Sequence, residues 1–262
     1  MILDLNQLKT NTMNSLRTYL YPRQTSVSSS ISLYTEGTIN QAFYPFSTSF
    51  SIGLVYLSSK VGTPGPVTID ILSKNNTIAS STVSLSTGWN TLTLNQGDIV
   101  SRNLHTLSIH GGVDASNDYK LGTGSSISYF YGTLSTGGIL AFSIGVNDFV
   151  FKEYPMSSTM KMNSLPLIAI DITSRPSVRD KYISGDMMIE DIEVNIEVYS
   201  RYTDEVDKLC YGIERGLVLN RKNFGTDIFK VSPVILRPLS FISPEIFFRE
   251  VSFYYRIFIS RE

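Results

Sequence analysis

His105 and His110 are the only histidines of the 262-residue chain, and Cys210 is its only cysteine. A metal site or an acid-base catalyst would have to be built around them. The histidines stand five residues apart in a stretch with strand alternation, so they point to opposite faces and make no ready metal pair. One cysteine excludes an intramolecular disulfide and any cysteine-based zinc site. Cys210 falls on the apolar stripe of a predicted helix, where a thiol serves as a small core group. Gly111-Gly112 after His110 reads as a turn, because no helix follows it to make a phosphate loop. Neither a Walker-type loop, nor Gly-x-Gly-x-x-Gly, nor a Gly-x-Ser-x-Gly elbow occurs. Asp70 and Asp98 could be imagined as paired carboxylates, yet both sit in turn-rich polar settings that suit solvated residues. The expectation is a protein with no catalytic centre, no metal and no cofactor.

Binding chemistry is better represented. Trp89, in Gly88-Trp89-Asn90, is the lone tryptophan. It can be read as a sugar-stacking ring, but the expectation is an anchor in an apolar core. Tyr119, Tyr129 and Tyr131 are the candidates for exposed aromatic platforms facing a glycan or a protein partner. Asp191, Glu193 and Glu197 alternate along one strand and form an acidic row, ordinarily a solvated face.

The stretch that positions this row organises the chain. Ile192, Val194, Ile196 and Val198 alternate with the acids, so the strand has one buried and one wet face. It ends in Tyr199-Ser200-Arg201-Tyr202. Thr203 then reads as a helix N-cap, with Asp204 and Glu205 in the first turn. Val206, Leu209, Cys210, Ile213 and Leu217 fall on one helical stripe. Residues 165–172 predict a central strand with Pro166 at its start, and residues 227–237 and 249–259 predict two more. Residues 175–185 are a polar connection long enough to project as an arm, with Val178, Tyr182 and Ile183 as its apolar anchors. At the other end, residues 4–20 predict an amphipathic helix stopped by Pro22. Its leucine stripe, Leu5, Leu8, Leu16 and Leu20, needs a partner surface.

Between that helix and the sheet the composition changes. Residues 24–148 hold four of the 22 Lys/Arg and six of the 23 Asp/Glu. They are rich in Ser, Thr, Gly and Tyr and read as short strands between turns, an antiparallel sandwich or barrel. The economical arrangement is an insertion: one α+β domain from residues 1–23 and 149–262, a small mixed α/β sheet with amphipathic helices, carrying an all-β domain at 24–148. Two sequential domains with a loose N-terminal helix are the rival. Net charge is −1, so no global field draws the chain to nucleic acid or anionic membrane. With no signal-like N-terminus and no long apolar run, a soluble protein made in the cytoplasm is expected.

The discontinuous domain resembles the tail terminator (tail-completion) proteins of tailed phages and archaeal viruses. The matching pattern is the N-terminal helix around Leu5 to Leu20, then Tyr154-Pro155, then Leu165-Pro166-Leu167-Ile168. The alternating strand ending Val198-Tyr199-Ser200-Arg201 and the helix opening Asp204-Glu205 complete it. The insert is a departure from typical members. It looks like the jelly-roll sandwich modules of secreted and viral surface proteins, through Asn40-Gln41-Ala42-Phe43, the turn at Gly62 to Pro66 before Val67-Thr68-Ile69, Gly88-Trp89-Asn90-Thr91-Leu92 and Leu140-Ala141-Phe142-Ser143-Ile144. The resemblance implies a virion protein of the tail–neck junction, assembling as a homo-hexameric ring on the tail tube protein and meeting neck (head–tail connector) proteins. The genome would pass through its lumen without sequence-specific binding, and Asp191, Glu193 and Glu197 could face that lumen. Val178, Tyr182 and Ile183 would contact the next subunit, and Tyr119, Tyr129 and Tyr131 a possible glycan or partner. A carbohydrate-binding or adhesion protein, or another connector of the neck, is the alternative.

Overall fold

A computed structural model describes residues 5–21, 23–46, 50–94, 103–125, 134, 138–146, 149–153, 165–173, 181–184, 187–219, 228–232 and 234–260. The chain forms an α+β protein dominated by strands, in two compact units. One unit comprises Met1–Leu20 with Asp148–Glu262, and the other comprises Tyr21–Asn147. The second therefore lies in sequence between the two segments of the first.

The discontinuous unit is built on its longest strand pair. Met187–Ser200 runs antiparallel to Ile246–Ser260, in register from Met187 opposite Ser260 to Ser200 opposite Phe247. Leu167–Thr173 lies on the other side of Met187–Ser200, and Val150–Phe151 joins it in parallel. This short parallel pair is the exception in a sheet whose other described pairings are antiparallel. The alternation of the sequence puts Ile192, Val194, Ile196 and Val198 on one face, all fully buried. Register sets Val194 beside Phe253 and Ile170 beside Ile196 on that same face. The expected single strand at residues 227–237 is instead two short ones, Ile228–Val231 and Ile235–Leu236, both paired with Ile246–Ser260.

Two helices bury their apolar stripes. Leu8, Leu16, Tyr19 and Leu20 come from Leu5–Leu20, and Val206, Leu209, Cys210, Ile213 and Leu217 from Thr203–Leu219. The helices pack directly on each other. Tyr19 lies against Gly216 so closely that a Cβ there would stand 2.9 Å from its Cδ1. The N-terminal helix is fastened to the sheet by a buried polar pair. Thr12 donates its hydroxyl to the Leu8 carbonyl at 2.9 Å, leaving its oxygen to accept from the Tyr255 hydroxyl at 2.9 Å. Burial pushes the Tyr255 pKa far up, the Thr12 bond countering it only in part.

The helix start differs from expectation by one residue. The Val206 N–H bonds the Tyr202 carbonyl, so Tyr202 rather than Thr203 holds the cap position. Ser200 accepts from the Tyr202 N–H at 3.1 Å and donates to the Glu205 carboxylate, which is 2% exposed. A serine two residues before the cap and a glutamate at the third helical position thus close the helix start. Where a capping box has its serine at the cap itself, here Ser200 holds the cap N–H from upstream.

The second unit consists of two antiparallel sheets over one core. One holds Arg23–Gln24, Phe142–Val146, Phe50–Val61, Asp118–Gly124 and Ile139–Leu140 in that order, with Ser29–Ser32 on Asp118–Gly124 and Gly88–Thr93 on Phe50–Val61. The other is ordered Thr38–Phe43, His105–His110, Val67–Ser73, Asn76–Val83. Inward residues of both, such as Val55 and Leu121 from the first and Ile69 and Ile109 from the second, form one buried cluster. Gln41, fully buried, ties the sheets together, its Oε1 accepting from the Leu140 N–H at 2.9 Å. Arg23 opposite Ser143 and Gln24 opposite Phe142 bring the two ends of the unit side by side.

Candidate functional site

The residues singled out for chemistry are dispersed. His105 and His110 do point to opposite faces of their strand. His105 is fully buried beside Phe43, ring centroids 5.9 Å apart, with Nδ1 at 2.8 Å from the Asn103 carbonyl. Burial holds its pKa below the usual histidine range, and the Asn103 bond opposes that only partly. His110 reaches Asp70 at 3.1 Å, and Ser80 donates to the same carboxylate at 2.6 Å. Asp98 lies outside the described residues. Cys210 is buried within the apolar stripe of the Thr203–Leu219 helix, and desolvation pushes its thiol up to about 12. Among the described residues no group of three His, Cys, Asp or Glu is placed to hold a metal ion.

Two of the aromatic expectations, for Tyr119 and Trp89, are reversed. Tyr119 is no exposed platform: it is 1% exposed, and its hydroxyl donates towards the Gly65 and Pro64 carbonyls at 3.1 and 3.3 Å. The physical reason is parity. Tyr119 and Leu121 share the inward face of Asp118–Gly124, and the hydroxyl finds partners in the turn at the rim of the core. Tyr129 and Tyr131 lie outside the described residues. Trp89, expected in the core, is 43% exposed instead. It alternates outward between Gly88 and Asn90, while Leu92 supplies the core side of the strand.

The acidic row lies on the sheet face away from the two helices, as its alternation requires. It is not a bare stripe of charge. Asp191 sits opposite Arg256, which grips it with two bonds of 2.7 Å and whose own pKa rises through them. The Tyr199 hydroxyl donates to Glu197 at 2.6 Å. Glu193 stands in register between Thr173 and Tyr254. Further along this face is a cleft of about 440 Å³ whose lining includes Lys9, Glu153, Asp171, Glu197 and Glu250. Glu197 and Glu250 are directly opposite each other, a repulsive placement. Lys9 on Asp171 at 3.2 Å and Arg237 near Glu250 at 3.6 Å relieve the local charge.

Of the projected arm, Lys181–Ser184 doubles back on Met187–Ser200, with Tyr182 opposite Met188. Ile183 falls in the irregular step between Tyr182 and Ser184, and Val178 lies outside the described residues. A more prominent apolar surface had no signal in the periodicity. Ile235–Leu236 and Ser240–Ser243 form the flank of Ile246–Ser260, and Phe241 is 73% exposed with Ile242 at 56%. Ile235 and Leu236 are exposed beside them in sequence. The cue was present in Phe241-Ile242 between Pro238 and Pro244, where short edge pieces place apolar residues outside any core.

Compared with known protein families, characterised proteins and solved structures, the chain finds no match.

Proposed function

We propose that the chain is a structural virion protein, a tail terminator that closes into a ring on the head-proximal end of a tail tube. There it ends tube growth and joins the tail to the neck. The second unit is then an inserted jelly-roll module carried as an outward decoration. The observation that carries the reading is the apolar sheet flank with Phe241 and Ile242 exposed. Short edge strands bearing large apolar side chains invite pairing with another chain. When the paired surface lies elsewhere on the neighbour, the contact is head-to-tail and can close into a ring. The hairpin made by Lys181–Ser184 on Met187–Ser200 supplies a second element for a neighbouring subunit. Sequence order supports the same reading through the resemblance of the helix, the Leu-Pro-Leu-Ile strand and the Asp-Glu helix opening.

The test is assembly. Mass photometry of the purified chain, alone and with purified tail tube protein, should give a closed multimer, sixfold by the resemblance. Phe241→Glu with Ile242→Glu should return it to a folded monomer that no longer caps tubes in electron micrographs. A chain that stays monomeric with and without tubes, or a double variant that assembles like the parent, overturns the proposal. A carbohydrate-binding protein is the second reading, and the exposed Trp89 favours it.

A further inference from the structure

Trp89 stands on Gly88–Thr93, which flanks Phe50–Val61, with Tyr56 directly opposite it. The rings meet edge to face, centroids 5.3 Å apart. Past Tyr56 the next strand offers Gly122 rather than a side chain. A Cβ there would come within 2.7 Å of Tyr56 Cδ1 and 3.1 Å of Val27 Cγ1. The Tyr56 ring therefore lies down over bare backbone, with Val27, 39% exposed, on its far side. Trp89, Tyr56 and Val27 make one continuous apolar strip across the outer face of the sheet.

The strip is held in place before any ligand arrives. Asn90 donates to the Ser86 and Gly88 carbonyls at 2.7 and 3.0 Å and accepts from the Ser86 N–H at 2.7 Å. This locks the turn that leads into the strand carrying Trp89, so little freedom is lost when the ring is covered. Hydroxyls flank the strip: Ser58 Oγ borders the Gly122 notch, and Thr91 follows Trp89 on the same face of its strand.

Size and charge select the occupant. Three partly exposed residues of this kind offer on the order of 200 Å², against ~800 Å² per partner in an ordinary protein interface. Nucleic acid would require phosphate-binding cations, and residues 24–148 hold only four Lys/Arg. A sugar ring matches on both counts. Its C–H face covers an aromatic ring, and its hydroxyls meet Ser and Thr. We propose that the Trp89–Tyr56–Val27 strip is a binding site for a neutral glycan, with one sugar unit stacked on Trp89. It rests on the second unit alone and needs no ring, so a failed assembly experiment leaves it standing.

The experiment uses the full chain, because Trp89 is its only tryptophan and all indole emission reports this site. Neutral oligosaccharides (β-glucan, chitin, galactan and mannan hexamers) are titrated while emission and its quenching by iodide are followed. At least one should shift the emission saturably and shield Trp89 from iodide. Tyr56→Ala should weaken that binding about tenfold, the equivalent of one aromatic contact. Val27→Lys, a change at an exposed position, should weaken it too, and covers the case in which Tyr56→Ala does not fold. Absence of shielding by every neutral oligosaccharide overturns the proposal. So does undiminished binding in both variants, or shielding by purified tail tube protein where no saccharide gives it.

Discussion

Gly216→Ala should destabilise the discontinuous unit, against the ordinary preference of helices. Alanine is favoured over glycine inside a helix by about 1 kcal/mol, so in open space the change would stabilise. Here the added Cβ would stand 2.9 Å from Tyr19 Cδ1 and 3.0 Å from its Cγ. Those atoms are the root of a rigid ring that is 1% exposed and cannot swing aside. Overpacking of this sort costs about 1–3 kcal/mol, leaving a net loss of roughly 1 kcal/mol. Removing the ring should reverse the sign. Tyr19→Ala costs about 3–5 kcal/mol by itself, but in that background Gly216→Ala should gain roughly 1 kcal/mol. The assay is urea unfolding followed by far-ultraviolet circular dichroism. Both long helices belong to this unit, and among the described residues the only helix of the other is Leu33–Glu36. Trp89 emission reports the second unit separately and should not shift its midpoint. A stabilising Gly216→Ala in the parent chain, or two changes that simply add, would refute the helix contact on which the discontinuous unit depends.

Three further outcomes are expected. Tyr119→Phe, which leaves the Gly65 and Pro64 carbonyls without their donor, should lower second-unit stability by about 1 kcal/mol, read from the Trp89 midpoint in urea. His105 is held neutral in the folded state with its pKa below the ordinary 6.5, so the unfolded chain binds its proton first. Second-unit stability from this group is complete above that value and is lost as pH falls below it. His105→Gln should flatten that part of the pH profile, and a profile unchanged by the substitution would contradict the burial. Cys210, buried with its thiol raised to about 12, should react with a maleimide only as the discontinuous unit opens. Its labelling should therefore accelerate in Tyr19→Ala, and fast labelling of the folded parent would refute its burial.

Regular alternation made the organising strand legible. Ile192 to Val198 read as a buried face because no other period fits them, and the structure extends the pairing in both directions. The stripe from Val206 to Leu217 was legible for the same reason. The cap was not. Ser200 and Glu205 act across a chain reversal, and a window that begins at Thr203 does not contain the serine. Trp89 and Tyr119 show the limit more sharply. Both are aromatic residues in polar surroundings, and composition alone assigned each to the wrong side of the sheet. Strand parity decides burial, and parity depends on where pairing begins, which short strands between Ser-rich turns leave open. The Phe241-Ile242 flank was missed because it obeys no period: its strands are too short to have one.

The antiparallel pairing of Arg23 and Gln24 with Ser143 and Phe142 has a bearing on the order in which the chain acquires its structure. During synthesis the Leu5–Leu20 helix leaves the ribosome before the rest of its unit, and the sheet that covers it arrives only after residues 21–147. For a flexible chain, closing a loop of roughly 125 residues rather than a few costs about 3 kcal/mol in entropy. Once the intervening unit has folded, its paired ends stand where a short turn would. The waiting helix is then held close to the emerging strands, and a distant contact acquires the kinetics of a local one.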